Sequence, residues 1–115
     1  MRITAFSLMA VAIADPHGFL KPVKITGTPV ALMWIQGALI PAHLYTPLLE
    51  AVQQKSSQEL WIGQPSFLLD TPEPARLSAN VADTLKLMRA AGFNGTTVYF
   101  GAHSLGTVFL QQYCA

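Results

Sequence analysis

The stretch that most constrains this chain is Val98-Tyr99-Phe100-Gly101-Ala102-His103-Ser104-Leu105-Gly106-Thr107-Val108-Phe109-Leu110. Two apolar runs flank a turn of small residues, the pattern of a strand that turns sharply into a helix. Ser104 stands at the apex. A side chain there is lifted clear of the sheet's carboxyl edge, its neighbours must be small to avoid clashes, and the helix that follows aims free amides at the space above it. That is the geometry of a nucleophile elbow. Serine is also a favoured helix N-cap and suits any strand-to-helix junction on that ground alone, so the rest of the chain has to separate the two readings.

Upstream, Thr28-Pro29 introduces Val30-Ala31-Leu32-Met33-Trp34-Ile35, an apolar run without alternation, as expected of a parallel strand covered on both faces. It ends at Gln36-Gly37-Ala38, where a glycine lets the backbone approach a ligand and leaves the next amide free to donate. Pro47 fits the first position of a helix running through Lys55, with Leu48, Leu49 and Val52 as its apolar face. His43, in the loop before it, reads as a surface or capping residue. Leu60-Trp61-Ile62 with its flanks is a second short strand, closed by Gly63 and Pro65. The proline-punctuated segment 65–74 is a loop in which Asp70 reads as a turn or capping residue, and Phe67, Leu68 and Leu69 as packing across the sheet edge.

Leu77, Val81, Leu85 and Met88 recur at near-helical spacing and predict a helix over 75–91, capped by Gly92. Asn94-Gly95-Thr96 reads as a turn and also satisfies the N-x-[ST] pattern, which makes Asn94 a glycosylation candidate if the chain is secreted. The order strand, helix, strand, helix, strand, helix implies a parallel sheet with right-handed crossovers and ligands at the carboxyl ends of its strands.

Composition excludes several classes. The chain has 115 residues, 51% hydrophobic and 11% charged, which makes one core-forming domain at most. A net charge of +1 without a run of either sign excludes an electrostatic nucleic-acid surface. The single cysteine, Cys114, cannot close an internal disulfide, and no Cys/His set has zinc-ligand spacing, so no metal is expected. Residues 1–14 have the form of a short secretory signal, with Arg2, an apolar middle, and Ala12 and Ala14 before the cleavage point, so secretion is expected. The run is too short for a transmembrane anchor, which needs roughly 20 residues. Residues 15–28 then form a lead-in in which Val23 to Ile25 supply a brief strand or extended piece, with His17 a solvated loop residue.

Together these features resemble the first half of an α/β-hydrolase, the fold of many lipases, esterases and related serine hydrolases. Ala102-His103-Ser104-Leu105-Gly106 is similar to the family's G-x-S-x-G elbow, in the A-x-S-x-G form of some small bacterial lipases. Ile35-Gln36-Gly37-Ala38 resembles the family's oxyanion loop, with Gln36 where a histidine is usual. Roughly sixty residues separate the two motifs, room for the intervening helix, strand and helix.

The resemblance implies a three-layer αβα domain over residues 29–115, in which the 30–35 strand lies between the 60–62 strand and the elbow strand. It implies Ser104 as nucleophile and the backbone amides of Leu105 and Ala38 as oxyanion donors, with Gly37, Ala102, His103 and Gly106 in support. His103 is not the base, because a neighbour in so tight a turn points away from the apex. The implied substrate is a small-molecule or lipid ester of a carboxylic acid, and no cofactor is implied.

One departure matters. In the family the acid and then the histidine of the triad follow the serine, and neither residue type occurs after Ser104. The chain is therefore expected to be truncated before the later strands, to leave the elbow strand's outer edge open, and to be inactive as it stands. Two alternatives accompany this reading. One is a catalytically inactive fragment of the same fold. The other is a nucleotide-binding α/β module, for which Gly101, Gly106 and Thr107 have P-loop-like spacing but the lysine is missing.

Overall fold

A computed structural model describes residues 17–115. The expected signal segment, residues 1–14, lies outside the described residues. The chain forms an α/β domain with a mixed four-stranded sheet and three helices.

Strand β1 (Gly18–Leu20) leads into β2 (Pro29–Ile35), the centre of the sheet, which pairs in parallel with β3 (Glu59–Gln64) on one side and β4 (Thr97–Ala102) on the other. Its apolar run without alternation is what that position demands. Ala31, Met33 and Ile35 enter one core cluster, while Val30 enters a second, with Leu32 and Trp34 packed against it. Helix α1 (Thr46–Lys55) contributes Leu49 to the second cluster. Helix α2 (Pro74–Ala90) sends Leu77, Val81 and Met88 into the first, where Phe109 and Leu110 of α3 (Leu105–Cys114) also pack.

The expectation of a purely parallel sheet is corrected by β1, which runs antiparallel to β3 and makes the strand order β1-β3-β2-β4. This strand falls inside the 15–28 lead-in, whereas Val23 to Ile25, expected to be the extended piece, form no strand, and Val23 and Ile25 are exposed. The physical reason is β3's second edge. Pairing Gly18, Phe19 and Leu20 with Gln64, Gly63 and Ile62 satisfies it, and Phe19 meets Trp61 at 6.2 Å between ring centroids. An antiparallel edge strand on an otherwise parallel sheet is a common compromise. His17, expected to be solvated, is tied in by the same pairing, its Nδ1 accepting from the Ser66 amide at 2.9 Å.

Two further expectations change. In α1 only Leu49 of the three expected apolar positions is buried, while Leu48 and Val52 are 52% and 38% exposed. Gln53 takes the inward place because its amide donates to the carbonyls of Lys21 and Leu60, at 2.9 and 3.0 Å. The tight turn near 95 lies at Ala91-Gly92, with Gly92 at φ 122°, rather than at Asn94-Gly95. Gly95 is needed for proximity instead, since an added Cβ would stand 2.2 Å from the Pro29 carbonyl oxygen.

The sheet delivers β2 and β4 side by side, with Ile35 opposite Ala102. Their carboxyl ends place the Gln36-Gly37-Ala38 loop next to the elbow.

Candidate active site

The elbow is tight. Strand β4 ends at Ala102 and α3 begins at Leu105, so His103 and Ser104 alone make the junction. Ser104 holds φ 54° and ψ −123°, a conformation that L-residues rarely adopt and that survives only where the surroundings impose it. On one side the His103 amide donates to the Ile35 carbonyl at 3.1 Å, locking the turn to the end of β2. On the other, Gly106 brings α3 against the same strand end, where a Cβ would stand 2.5 Å from the Gln36 carbonyl oxygen and 2.6 Å from that of Ile35. Ala102, half-buried, packs against the first core cluster.

Ser104 occupies the N-cap position of α3, yet its side chain makes no capping bond. A serine there for helix stability would turn its hydroxyl back to the helix amides. This one is exposed at the apex. The Gly106 and Thr107 amides donate to the carbonyls of His103 and Ser104 at 3.0 and 2.9 Å, while the Leu105 amide beside the serine has no acceptor among the described residues.

Gly37 is buried directly against the elbow. A Cβ on it would come within 3.1 Å of His103 Nδ1 and 3.3 Å of Ser104 Cβ, so any larger residue would separate the loop from the serine. The Gly37 amide donates to Tyr45 Oη at 2.8 Å and the Leu39 amide to Thr71 Oγ1 at 3.1 Å. Between them, the Ala38 amide makes no hydrogen bond among the described residues, and Ala38 itself is exposed. Gln36, where the resemblance would have a histidine, is 1% exposed and donates from Nε2 to the carbonyls of Ile40 and Asp70, fastening the loop to the 68–70 turn. Its Oε1 is buried without a partner among the described residues.

The His103 imidazole turns away from Ser104 towards Tyr45, its Nδ1 lying 3.0 Å from Oη. Tyr45 is the residue that sequence reasoning missed. A lone aromatic in a short apolar turn carries no periodic or motif signal, and only the fold brings Ala42–Tyr45 over the loop. His43 is exposed in that turn, and Asp70 sits in the 68–70 turn at φ 51°, both in the structural roles expected of them. Asn94 is exposed and lies before the start of β4, at the end of that strand opposite the elbow.

Ser104 lines none of three clefts on the described residues. The one nearest in sequence to the 36–38 loop, about 340 Å³, is formed by Leu39, Leu68, Leu69, Thr71 and Glu73. A polar one of about 250 Å³ includes His43, Gln64 and Asp70. The largest, about 580 Å³, lies between α1 and the sheet, where Leu48, Val52 and Tyr99 face solvent. Among the described residues no group of His, Cys, Asp and Glu is arranged to hold a metal, and no helix is long and apolar enough to cross a membrane.

In comparisons with known proteins, no family model matches the chain and no curated protein matches it.

Proposed function

We propose that this chain carries the nucleophile half of a serine hydrolase of carboxylic esters, on a three-layer αβα domain of the α/β-hydrolase kind. The observation that carries the reading is Ser104 itself: an exposed hydroxyl that caps nothing, on a backbone held at φ 54° between a parallel strand and a helix. Strain of this kind collects at functional sites, and a capping serine has no use for it. The strand order, with β2 between β3 and β4, agrees with the same reading.

In this mechanism Ser104 Oγ attacks the ester carbonyl carbon, and the carbonyl π pair moves onto oxygen. The oxyanion so formed is held by the Leu105 and Ala38 amides, which need no reorganisation because neither is spent on a protein acceptor. A general base takes the Oγ proton and passes it to the departing alcohol, and water then releases the acid. In this reading His103 is not that base: it adjoins Ser104 in the tight turn and its imidazole packs against the Tyr45 ring and hydroxyl instead. The base and its carboxylate partner are not supplied by residues 105–115, which contain no His, Asp or Glu. Leu39, Leu68 and Leu69, exposed beside the oxyanion loop, favour an ester with an apolar chain. Secretion, from residues 1–14, and glycosylation at Asn94 belong to the same proposal.

One observation favours the inactive form of the fold as a second reading: among the described residues no imidazole is hydrogen-bonded to Ser104 Oγ. The nucleotide-binding alternative loses its footing, since Gly101 lies inside β4 and Gly106 inside α3, leaving no long loop to cradle phosphates.

The test is mass spectrometry after incubation with an alkyl fluorophosphonate, in which Oγ displaces fluoride from phosphorus. A slowly forming adduct, driven by excess reagent in the absence of the general base, is expected at Ser104 and is lost in Ser104→Ala. Equal labelling of both proteins would overturn the assignment.

A further inference from the structure

We propose that Tyr45 is a positioning residue that sets the oxyanion-donor amide of Ala38 relative to Ser104, acting through a single hydroxyl shared by the oxyanion loop and the elbow. The proposal rests on the reading of Ser104 as nucleophile.

Tyr45 is 8% exposed and its ring is held edge-on by Trp34, at 5.5 Å and 63°, and by His103, at 5.8 Å and 68°. The hydroxyl therefore has a defined place. A phenol offers one proton and two lone pairs. One lone pair accepts the Gly37 N–H at 2.8 Å, and the proton faces His103 Nδ1 at 3.0 Å. The phenol then donates to Nδ1 and leaves the ring proton on Nε2, so that no buried donor is stranded.

The loop is gripped a second time two residues on. Leu39 donates its N–H to Thr71 Oγ1, whose own proton goes to the Leu69 carbonyl at 3.0 Å. Side-chain oxygens thus hold the amides on either side of Ala38, and planar peptide units leave the Ala38 N–H little rotational freedom between them. What distinguishes Tyr45 from Thr71 is its other end. His103 immediately precedes Ser104, so one oxygen atom connects the donor loop to the nucleophile's own turn. The backbone bond from His103 N to Ile35 O fixes the elbow to the sheet, and Tyr45 fixes the loop to the elbow. A misplacement of about 1 Å at a reacting centre can cost about 10²-fold in rate, so a tetrahedral adduct held by the same donors is expected to lose about tenfold when one of two grips is loosened.

The probe is n-butylboronic acid with the full chain. Its boron accepts an Oγ electron pair, the serine proton passes to water, and the tetrahedral boronate mimics the oxyanion without needing a general base. Adduct formation is read by ¹¹B NMR and Gly37 protection by amide hydrogen exchange. Tyr45→Phe is expected to weaken the adduct about tenfold and to speed Gly37 exchange by at least about tenfold. His103→Asn, whose amide oxygen can take the place of Nδ1, is expected to bind within about twofold of the native chain, while His103→Leu loses as much as Tyr45→Phe. That rescue would not follow from general destabilisation.

A folded Tyr45→Phe with native boronate affinity and unchanged Gly37 exchange would overturn the proposal. So would equal losses in His103→Asn and His103→Leu, and that pair decides the matter if Tyr45→Phe does not fold. Failure of the nucleophile reading looks different. The native chain itself would then give no tetrahedral adduct, while Gly37 exchange in Tyr45→Phe would still show whether the hydroxyl holds the loop.

Discussion

Gly106→Ala sets two quantities against each other. In a helix, alanine is favoured over glycine by up to about 1 kcal/mol, and Gly106 is the second residue of α3, so local propensity predicts stabilisation. The new methyl, however, would stand 2.5 Å from the Gln36 carbonyl oxygen and 2.6 Å from that of Ile35. Both atoms belong to backbone at the end of the central strand and cannot swing aside as a flexible side chain would. Overpacking of this kind costs about 1–3 kcal/mol, and fixed neighbours place it in the upper half of that range. The net expectation is a loss of about 1–2 kcal/mol, or roughly 5–15 °C in Tm for a domain of this size. Thermal and urea unfolding followed by circular dichroism measure it directly. Gly18→Ala is the control, since nothing lies within 4 Å of its added Cβ, and its change is expected within about 0.5 kcal/mol. A rise in Tm for Gly106→Ala would refute the close packing of α3 on β2, and with it the compression that holds Ser104 in its unusual conformation.

Further expectations follow from single residues. Ser104→Gly removes the side chain that makes φ 54° unfavourable, so urea unfolding should find it stabilised by up to about 1 kcal/mol, whereas Ser104→Ala keeps the strain. Gln53→Leu leaves the Lys21 and Leu60 carbonyls without their donor and should cost about 2–4 kcal/mol in the same measurement. Tyr99→Lys, on the outer edge of β4 and 48% exposed, should slow aggregation in light scattering while changing stability by less than about 0.5 kcal/mol.

The central strand and the elbow were legible in the sequence because each rests on a local rule. An unbroken run such as 30–35 suits a strand buried on both faces, and a strand-to-helix turn built of small residues permits one geometry. The order of helices and strands followed from periodicity. What escaped was decided by partners distant in sequence. Strand β1 is three residues long and exists because β3 had an edge to fill, which no property of Gly18-Phe19-Leu20 announces. The inward face of α1 was misjudged at Leu48 and Val52 because Gln53, a polar residue, is drawn in by two carbonyls. In the site, Ser104, Gly37 and Gly106 carried motif signals, but Tyr45 did not. Its importance comes from a hydroxyl that meets Gly37 and His103 only after β2, β4 and the 42–45 turn have been brought together.

Whether Ser104 is a nucleophile beside working oxyanion donors is tested most directly by the ¹¹B NMR spectrum of n-butylboronic acid mixed with the chain. A tetrahedral boron resonance is expected with the native protein, and its absence with Ser104→Ala. A spectrum that stays trigonal with folded native protein, or a tetrahedral signal that persists without the serine hydroxyl, would contradict it.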